Sequence, residues 1–390
     1  MRVLSIIQEQ LGDGMASMHS ARRTALFAAV AALLRDGRLP LSRLGRAMAE
    51  HTDDKHGIKR IDRLLGNKAL HDEIACVHRS LTRHLLSWWQ RPIILVDWTE
   101  AGMEMCVLSA ALAFNGRSIV LWSEAHPESK LSNPVVESEF LLHLKAALPD
   151  GCRPIIVTDA GFHVPWLRKV QALGWDYVGR VRGRVFVRPS GDEAWIQSKE
   201  VFARATAHPR SLGQWDIVRS QNHRCRMVVF DGRSPRAKAP PRNIRRRIPK
   251  QRAAESAREP WILVTSLSDE SARRIVNIYK TRMQIELVFR DIKSHRFGWS
   301  FEDVRTRDPN RINVFVLLAT LASFVALLVG LAAESSDEHR GYQANTIRHR
   351  RVLSLVSLGR RIIERNRLVG SLFDALRQLR WSLLRTEMGV

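Results

Sequence analysis

Two short apolar runs in this chain each end in an acid: "PIILVDW", which carries Asp97, and "PIIVTD", which closes at Asp159. A third acid, Glu286, sits in "NIYKTRMQIELVFRDIKS" (277–294), which also holds Tyr279, Arg282 and Lys293. Read as one helix at about 100° per residue, that stretch places Tyr279, Arg282, Glu286 and Lys293 on a stripe roughly 60° wide. Ile278, Ile285, Val288, Phe289 and Ile292 fill the adjoining sector, so the helix buries one flank and presents Tyr, Arg, Glu and Lys along an edge.

Phosphodiester chemistry needs the attacking oxygen deprotonated and the charge on the leaving oxygen neutralised. Two Mg²⁺ ions roughly 3.5–4 Å apart do both, and such hard cations take carboxylate oxygens. Acids from two strands and a helix could hold that pair and leave room for phosphate and nucleophile; Mn²⁺ could substitute. A lone strand ending in Asp is more often a turn or a cap. The ordered set of Asp97, Asp159 and then Glu286 on a Tyr-Arg-Glu-Lys helix is far more specific.

Net charge points to a polyanionic partner. The chain of 390 residues carries +23 with a pI near 11.1, an excess that phosphate binding requires and simple solvation does not. Cys76, Cys106, Cys152 and Cys225 form no CxxC pair, so they read as reduced core thiols of a cytosolic protein, without a zinc site. "MRVLSIIQEQLGDG" meets acids before a long apolar run forms and does not read as a signal peptide. Residues Val314 to Ala333 are uncharged and long enough to span a bilayer, yet they include Thr320, Ser323 and Gly330. The expectation is a helix buried in the protein, with no membrane partner.

The elements that must position these residues follow from local pattern. Residues 1–90 read as helical: "RTALFAAVAALLRDG" stops at Asp36-Gly37, "LSRLGRAMAEH" is short, and "KHGIKRIDRLLGNKALH" buries Ile58, Ile61 and Leu65. Lys59, Arg60 and Arg63 lie on its other side, giving a helix-turn-helix-like reader of DNA. The plainer reading is a solvated basic helix in a bundle. From residue 92 three strands in a meander, two of them joined by "NGR", precede alternating helices and strands through 183. That order is the ribonuclease-H-like α/β fold. Residues 184–260 form a β-rich insertion, and its basic arm (233–258) has ten Arg or Lys and four prolines, which excludes a continuous helix. The core resumes over 261–310, starting with the strand "WILVTSL", and 311–390 form a helical C-terminal region that includes "NTIRHRRVLSLVSLGRRIIERN".

Tyr279-x2-Arg282-x3-Glu286-x6-Lys293 resembles the YREK signature of bacterial cut-and-paste DDE transposases, the insertion-sequence-four family. "IIVTDAGFHVPW", "LGWDYVGRVRG" and "YQANTIRHRRVLS" resemble that family too, and the likeness is weakest in the arm. The resemblance implies that Asp97, Asp159 and Glu286 are the catalytic metal ligands. It implies that Tyr279, Arg282 and Lys293 hold strand phosphates, and that Trp261 stacks on displaced bases. A hairpin pathway then nicks the transposon end, closes and reopens a hairpin, and joins the 3′ end to target DNA. Implied partners are double-stranded DNA (transposon ends and target), a second copy in a synaptic homodimer and a possible host DNA-bending protein, in the nucleoid-associated cytoplasm. Two rivals use the same residues: a metal-dependent nuclease without strand transfer, and a DNA-binding regulator without catalysis. His163, Glu100 and Glu104 lie near the acids, but a helix-start histidine and an acid-rich sheet turn explain them.

Overall fold

The computed structural model describes residues 2–49, 52–114, 116–183, 185–232, 259–344, 346–347 and 350–366. The basic arm expected over 233–258 and the chain beyond 366 lie outside the described residues.

Five helices come first: α1 (Arg2–Gly12), α2 (Ser20–Asp36), α3 (Leu41–Met48), α4 (Asp54–Leu65) and α5 (Lys68–Leu86). The expected stop after Asp36 is realised at Gly37, whose φ of 72° lets its N–H reach Leu33 O. "KHGIKRIDRLLGNKALH" divides at Gly66, because the Asn67 side chain accepts from Leu70 N and starts α5 anew. Helices α3 and α4 cross so closely that a Cβ on Gly57 would meet Gly45 O at 2.1 Å, a contact only glycine permits.

The meander follows as β1 (Ile93–Gly102), β2 (Met105–Phe114) and β3 (Arg117–Pro127). Then come α6 (Pro134–Ala147), β4 (Ile155–Val157), α7 (Val164–Ala172) and β5 (Asp176–Val181). Strands β6 (Phe186–Pro189), β7 (Ile196–Gln197), β8 (Arg210–Ile217) and β9 (His223–Phe230) precede β10 (Trp261–Thr265). All ten make one mixed sheet in the order β3-β2-β1-β4-β5-β10-β9-β8-β6-β7. β1 pairs antiparallel with β2 and parallel with β4, and β4 is parallel to β5, an order compatible with a ribonuclease-H-like core. β10 joins β5 to β9, so the strands of 184–260 extend the core sheet sideways.

Alternating residues feed the two faces of the sheet. Val96, Ile156, Val181 and Ile262 enter the larger core; Leu95, Val157, Val178 and Leu263 enter the smaller one. The smaller face is covered by α8 (Ala272–Lys280) and α9 (Met283–Lys293), through Ile275, Val276, Ile278, Tyr279, Ile285 and Phe289. Helix α10 (Pro309–Ser335) contains the long apolar run; it is buried inside the fold against β3, α2, α5 and α11 (Leu355–Glu364).

Two helical expectations need correction. Residues 277–294 do not form one helix: α8 ends at Lys280 and α9 begins at Met283. At the join the hydrogen bonds shorten to i→i−3, with Arg282 N on Tyr279 O at 3.0 Å and Gln284 N on Thr281 O at 2.8 Å. The Thr281 hydroxyl also donates to Ile278 O at 2.6 Å. Such a tightened turn advances about 120° per residue instead of about 100°, so the single-stripe geometry does not carry across it. In the other case, only Leu355–Glu364 of "NTIRHRRVLSLVSLGRRIIERN" is helical among the described residues, because Ser354 caps a new start by accepting from Ser357 N.

Candidate active site

Neighbouring parallel strands bring the first two acids together. The β1–β4 register pairs Leu95 with Val157, and two residues further along each chain stand Asp97 and Asp159. Asp97 Oδ1 accepts from Trp98 N at 2.9 Å, while Asp159 Oδ1 accepts from Gly161 N at 2.7 Å in the turn after β4. The third acid, Glu286, occupies the first turn of α9, which lies over β1, β2 and β3.

Arg282 ties two of the acids together. Its Nη1 stands 3.3 Å from Asp97 Oδ2, and its Nη2 donates to Glu286 Oε1. Burial works against the guanidinium's charge, but Tyr279, Glu286 and Asp97 outweigh it and hold Arg282 above its ordinary pKa. For Asp97 the balance runs the other way. Burial, then the charge of Asp159, and more weakly Glu286, push its carboxyl up to about 7 against the pull of Arg282 and Trp98 N–H. All three acids therefore act on one small volume.

Tyr279 does not stand on an open edge as the one-helix reading required. Its ring is 4% exposed and belongs to the smaller core, and burial raises its phenol's pKa against the pull of Arg282 and Arg180. Trp261, half-buried at the start of β10, meets Tyr279 edge-on at 5.0 Å between centroids and Phe230 at 5.8 Å. Lys293, at the end of α9, is half-buried; burial lowers its pKa against the opposing charges of Glu100 and Glu302. Lys59, Arg60 and Arg63 are all exposed on α4, in the helical layer rather than beside the acids. His163 is the exposed residue preceding α7, and it makes no side-chain cap.

Several groups that fix the site's geometry were not singled out from the sequence. Gln284 Oε1 accepts from Phe114 N at 2.9 Å, and Arg117 Nε stands 3.1 Å from Asp291 Oδ2, so both ends of α9 are tied to the β2–β3 hairpin. Beneath β1, Trp98 Nε1 donates to the buried Glu137 of α6 at 3.1 Å. These pairs span 39 to 174 positions in sequence, and local spacing carries no signal for them.

Among the described residues, no group of three or more His, Cys, Asp or Glu is arranged to hold a metal ion as it stands. The guanidinium of Arg282 lies between Asp97 and Glu286 instead. The donor chemistry nevertheless fits a hard divalent cation: the acids offer only oxygen, and the negative charges of Asp159 and Glu286 add to burial in raising the Asp97 carboxyl. Arg282 already supplies one positive charge at that point.

No curated protein matches the chain closely enough to count as a relative. A sequence profile does match: that of the transposase DDE domain covers residues 88–325, more than half of the chain and all three of the acids described above. The chain belongs to the transposase DDE domain family.

Proposed function

We propose that this protein is a DNA transposase of the YREK class that binds terminal inverted repeats, cuts both strands through a hairpin and joins the 3′ ends to target DNA. Membership of the family supports the coarser part, DNA cleavage and strand transfer with divalent metal. What supports the site assignment is the action of Asp159 and Glu286 on the buried Asp97 carboxyl, with Arg282 paired to both Asp97 and Glu286. Asp97, Asp159 and Glu286 would hold two Mg²⁺ ions, or Mn²⁺ in their place, which when bound supply activation of the attacking oxygen and neutralisation of the leaving one.

The remaining steps belong to the chain's own side chains. A substrate phosphate approaching the acids meets Arg282, whose guanidinium can exchange its carboxylate partners for phosphate oxygens without leaving the site. Tyr279 O accepts from Arg282 N at 3.0 Å, which fixes the backbone of that arginine. Trp261 offers a partly open indole beside Tyr279, on which an unstacked base can settle, replacing some of the stacking lost from the duplex. Lys293 adds a cation further along α9. Exposed Lys59, Arg60 and Arg63 on α4 read the transposon end.

We divide the work along the chain accordingly: 1–90 for end binding, 91–183 and 261–310 for catalysis, 184–260 as an insertion, and 311–390 as a helical region that supports a homodimer. A host DNA-bending protein would assist synapsis in the nucleoid-associated cytoplasm. The test is an end-labelled duplex carrying the inverted repeats that flank the reading frame, incubated with protein and Mg²⁺. Nicked, hairpinned and joined products appearing in that order are expected. Nicking that never proceeds to joining would leave a nuclease.

A further inference from the structure

A large hollow among the described residues has its apolar floor on the side of the sheet away from Trp261 and Tyr279. It has a volume of about 940 Å³ and starts at Ala160, the residue after Asp159. Its floor includes Val181 of β5 and Val264 of β10, which point into the larger core, whereas Val178 and Leu263 on the same strands face the smaller core with Tyr279. Lys199 lines it from the insertion, and His163 lines it from the start of α7. A second hollow of about 700 Å³ shares His163, Val185 and Val218 with the first and continues past Phe186 to Arg219. The two make one groove that runs from Ala160, beside Asp159, out along the insertion strands.

Its chemistry is divided between floor and rim. The floor is aliphatic, and Phe186 stands 41% exposed along it, an unusual place for a large aromatic to be left. The rim carries more positive than negative charge: Arg182, Lys199 and Arg219 are exposed along it, beside the single acid Glu259 among the lining residues. Duplex DNA offers phosphates on the outside but keeps its bases paired and stacked, so it has nothing to place on a recessed apolar floor. An unpaired strand offers both: bases that settle on aromatic and aliphatic side chains, and phosphates that meet the cations.

We propose that this groove binds single-stranded DNA, taking the strand that leaves the Asp159 side of the site once the end is opened. The inference rests on the DNA-cleaving role proposed above and adds a route for the unpaired strand, on the face of the sheet opposite Trp261. Lys199 and Arg219 hold its phosphates, and Phe186 stacks a base.

The experiment is fluorescence anisotropy of the full-length protein in EDTA, with a labelled oligothymidylate of about 12 nucleotides and, separately, a duplex of equal length. The double variant Lys199→Glu/Arg219→Glu should bind the single strand at least about ten-fold more weakly, and Phe186→Ala at least about five-fold more weakly, with duplex affinity held within about two-fold. All three positions are exposed, and unchanged thermal melting confirms that the variants fold. Wild-type affinity for the single strand in both variants would overturn the groove assignment, as would an equal loss of single-strand and duplex binding. A parallel Mg²⁺ cleavage assay of the wild type separates the two claims. A protein that never cuts DNA fails the transposase reading, whereas one that cuts DNA while its groove variants bind normally fails this inference alone.

Discussion

At the scale of single residues, the site sets one cation, Arg282, between Asp97 and Glu286, with Asp159 acting on Asp97 from the neighbouring strand. Asp97 has a carboxyl raised from 3.8 to about 7 by burial and by the charges of Asp159 and Glu286. Over that interval the folded protein keeps a proton that the unfolded chain has released, so the stability gained from it is present at low pH and lost as pH rises toward 7. Metal-free wild type should therefore lose melting temperature between pH 5 and pH 8, and Asp97→Asn should reduce that slope, leaving the part due to Glu137, which burial also raises to about 7; parallel curves in a thermal scan would contradict the assignment. The same proton competes with metal, so Mn²⁺ affinity measured calorimetrically should rise with pH and level off above about 7. Trp261→Ala tests the aromatic beside Tyr279. Since Trp261 packs edge-on against Phe230 and Tyr279, some stability is lost, on the order of 1–3 kcal/mol for a half-buried ring. Nicking should survive comparatively well while hairpins fail to form, and a substrate unpaired near its end should recover part of the loss. Equal slowing of nicking and hairpin formation would reduce Trp261 to packing.

At the scale of elements, α9 is the part whose placement matters most, because it alone brings Glu286 to the strand ends. Arg117–Asp291 and Gln284–Phe114 N fasten it to the β2–β3 hairpin. Asp291→Ala would leave the partly buried Arg117 guanidinium without its carboxylate, at about 1–3 kcal/mol. Cleavage should fall while end binding, measured by gel shift, stays near wild type; full cleavage activity would show that α9 needs no such anchor. Helix α4 gives the complementary case. Removing Lys59, Arg60 and Arg63 should leave the fold intact and reduce the salt slope of end binding by about one per cation lost. Gly57→Ala should instead unseat α4, since its methyl would run into Gly45 O. How much the sequence revealed differs between these elements. Helix and strand identities were legible because Ile58, Ile61 and Leu65 share one helical face, while Ile93 to Val96 form a short continuous apolar run closed by an acid. The break at Thr281–Arg282 was not, because 100° spacing fits both halves separately and only the shortened hydrogen bonds expose the join. Tyr279 was assigned to an edge for that reason, and tertiary packing under Trp261 buries it.

At the scale of the whole molecule, one sheet of ten strands places the catalytic candidates at the centre and the insertion at one flank. The three acids were visible as types and positions in the chain, and the β1–β4 register accounts for two of them meeting. Arg282 between Asp97 and Glu286 and the long-range ties on α9 were not visible, because each depends on how distant segments pack. The net charge of +23 supplies general attraction to DNA, and the proposed site leaves the chemistry to the acids, so binding and cutting should separate cleanly. The most direct measurement substitutes Ala in turn for Asp97, Asp159 and Glu286 and follows both end binding and product formation in Mg²⁺. The account predicts that each variant binds the transposon end within about three-fold of wild type, yet produces no nick, hairpin or joined product. Any one of the three that still nicks DNA would contradict the assignment of this site.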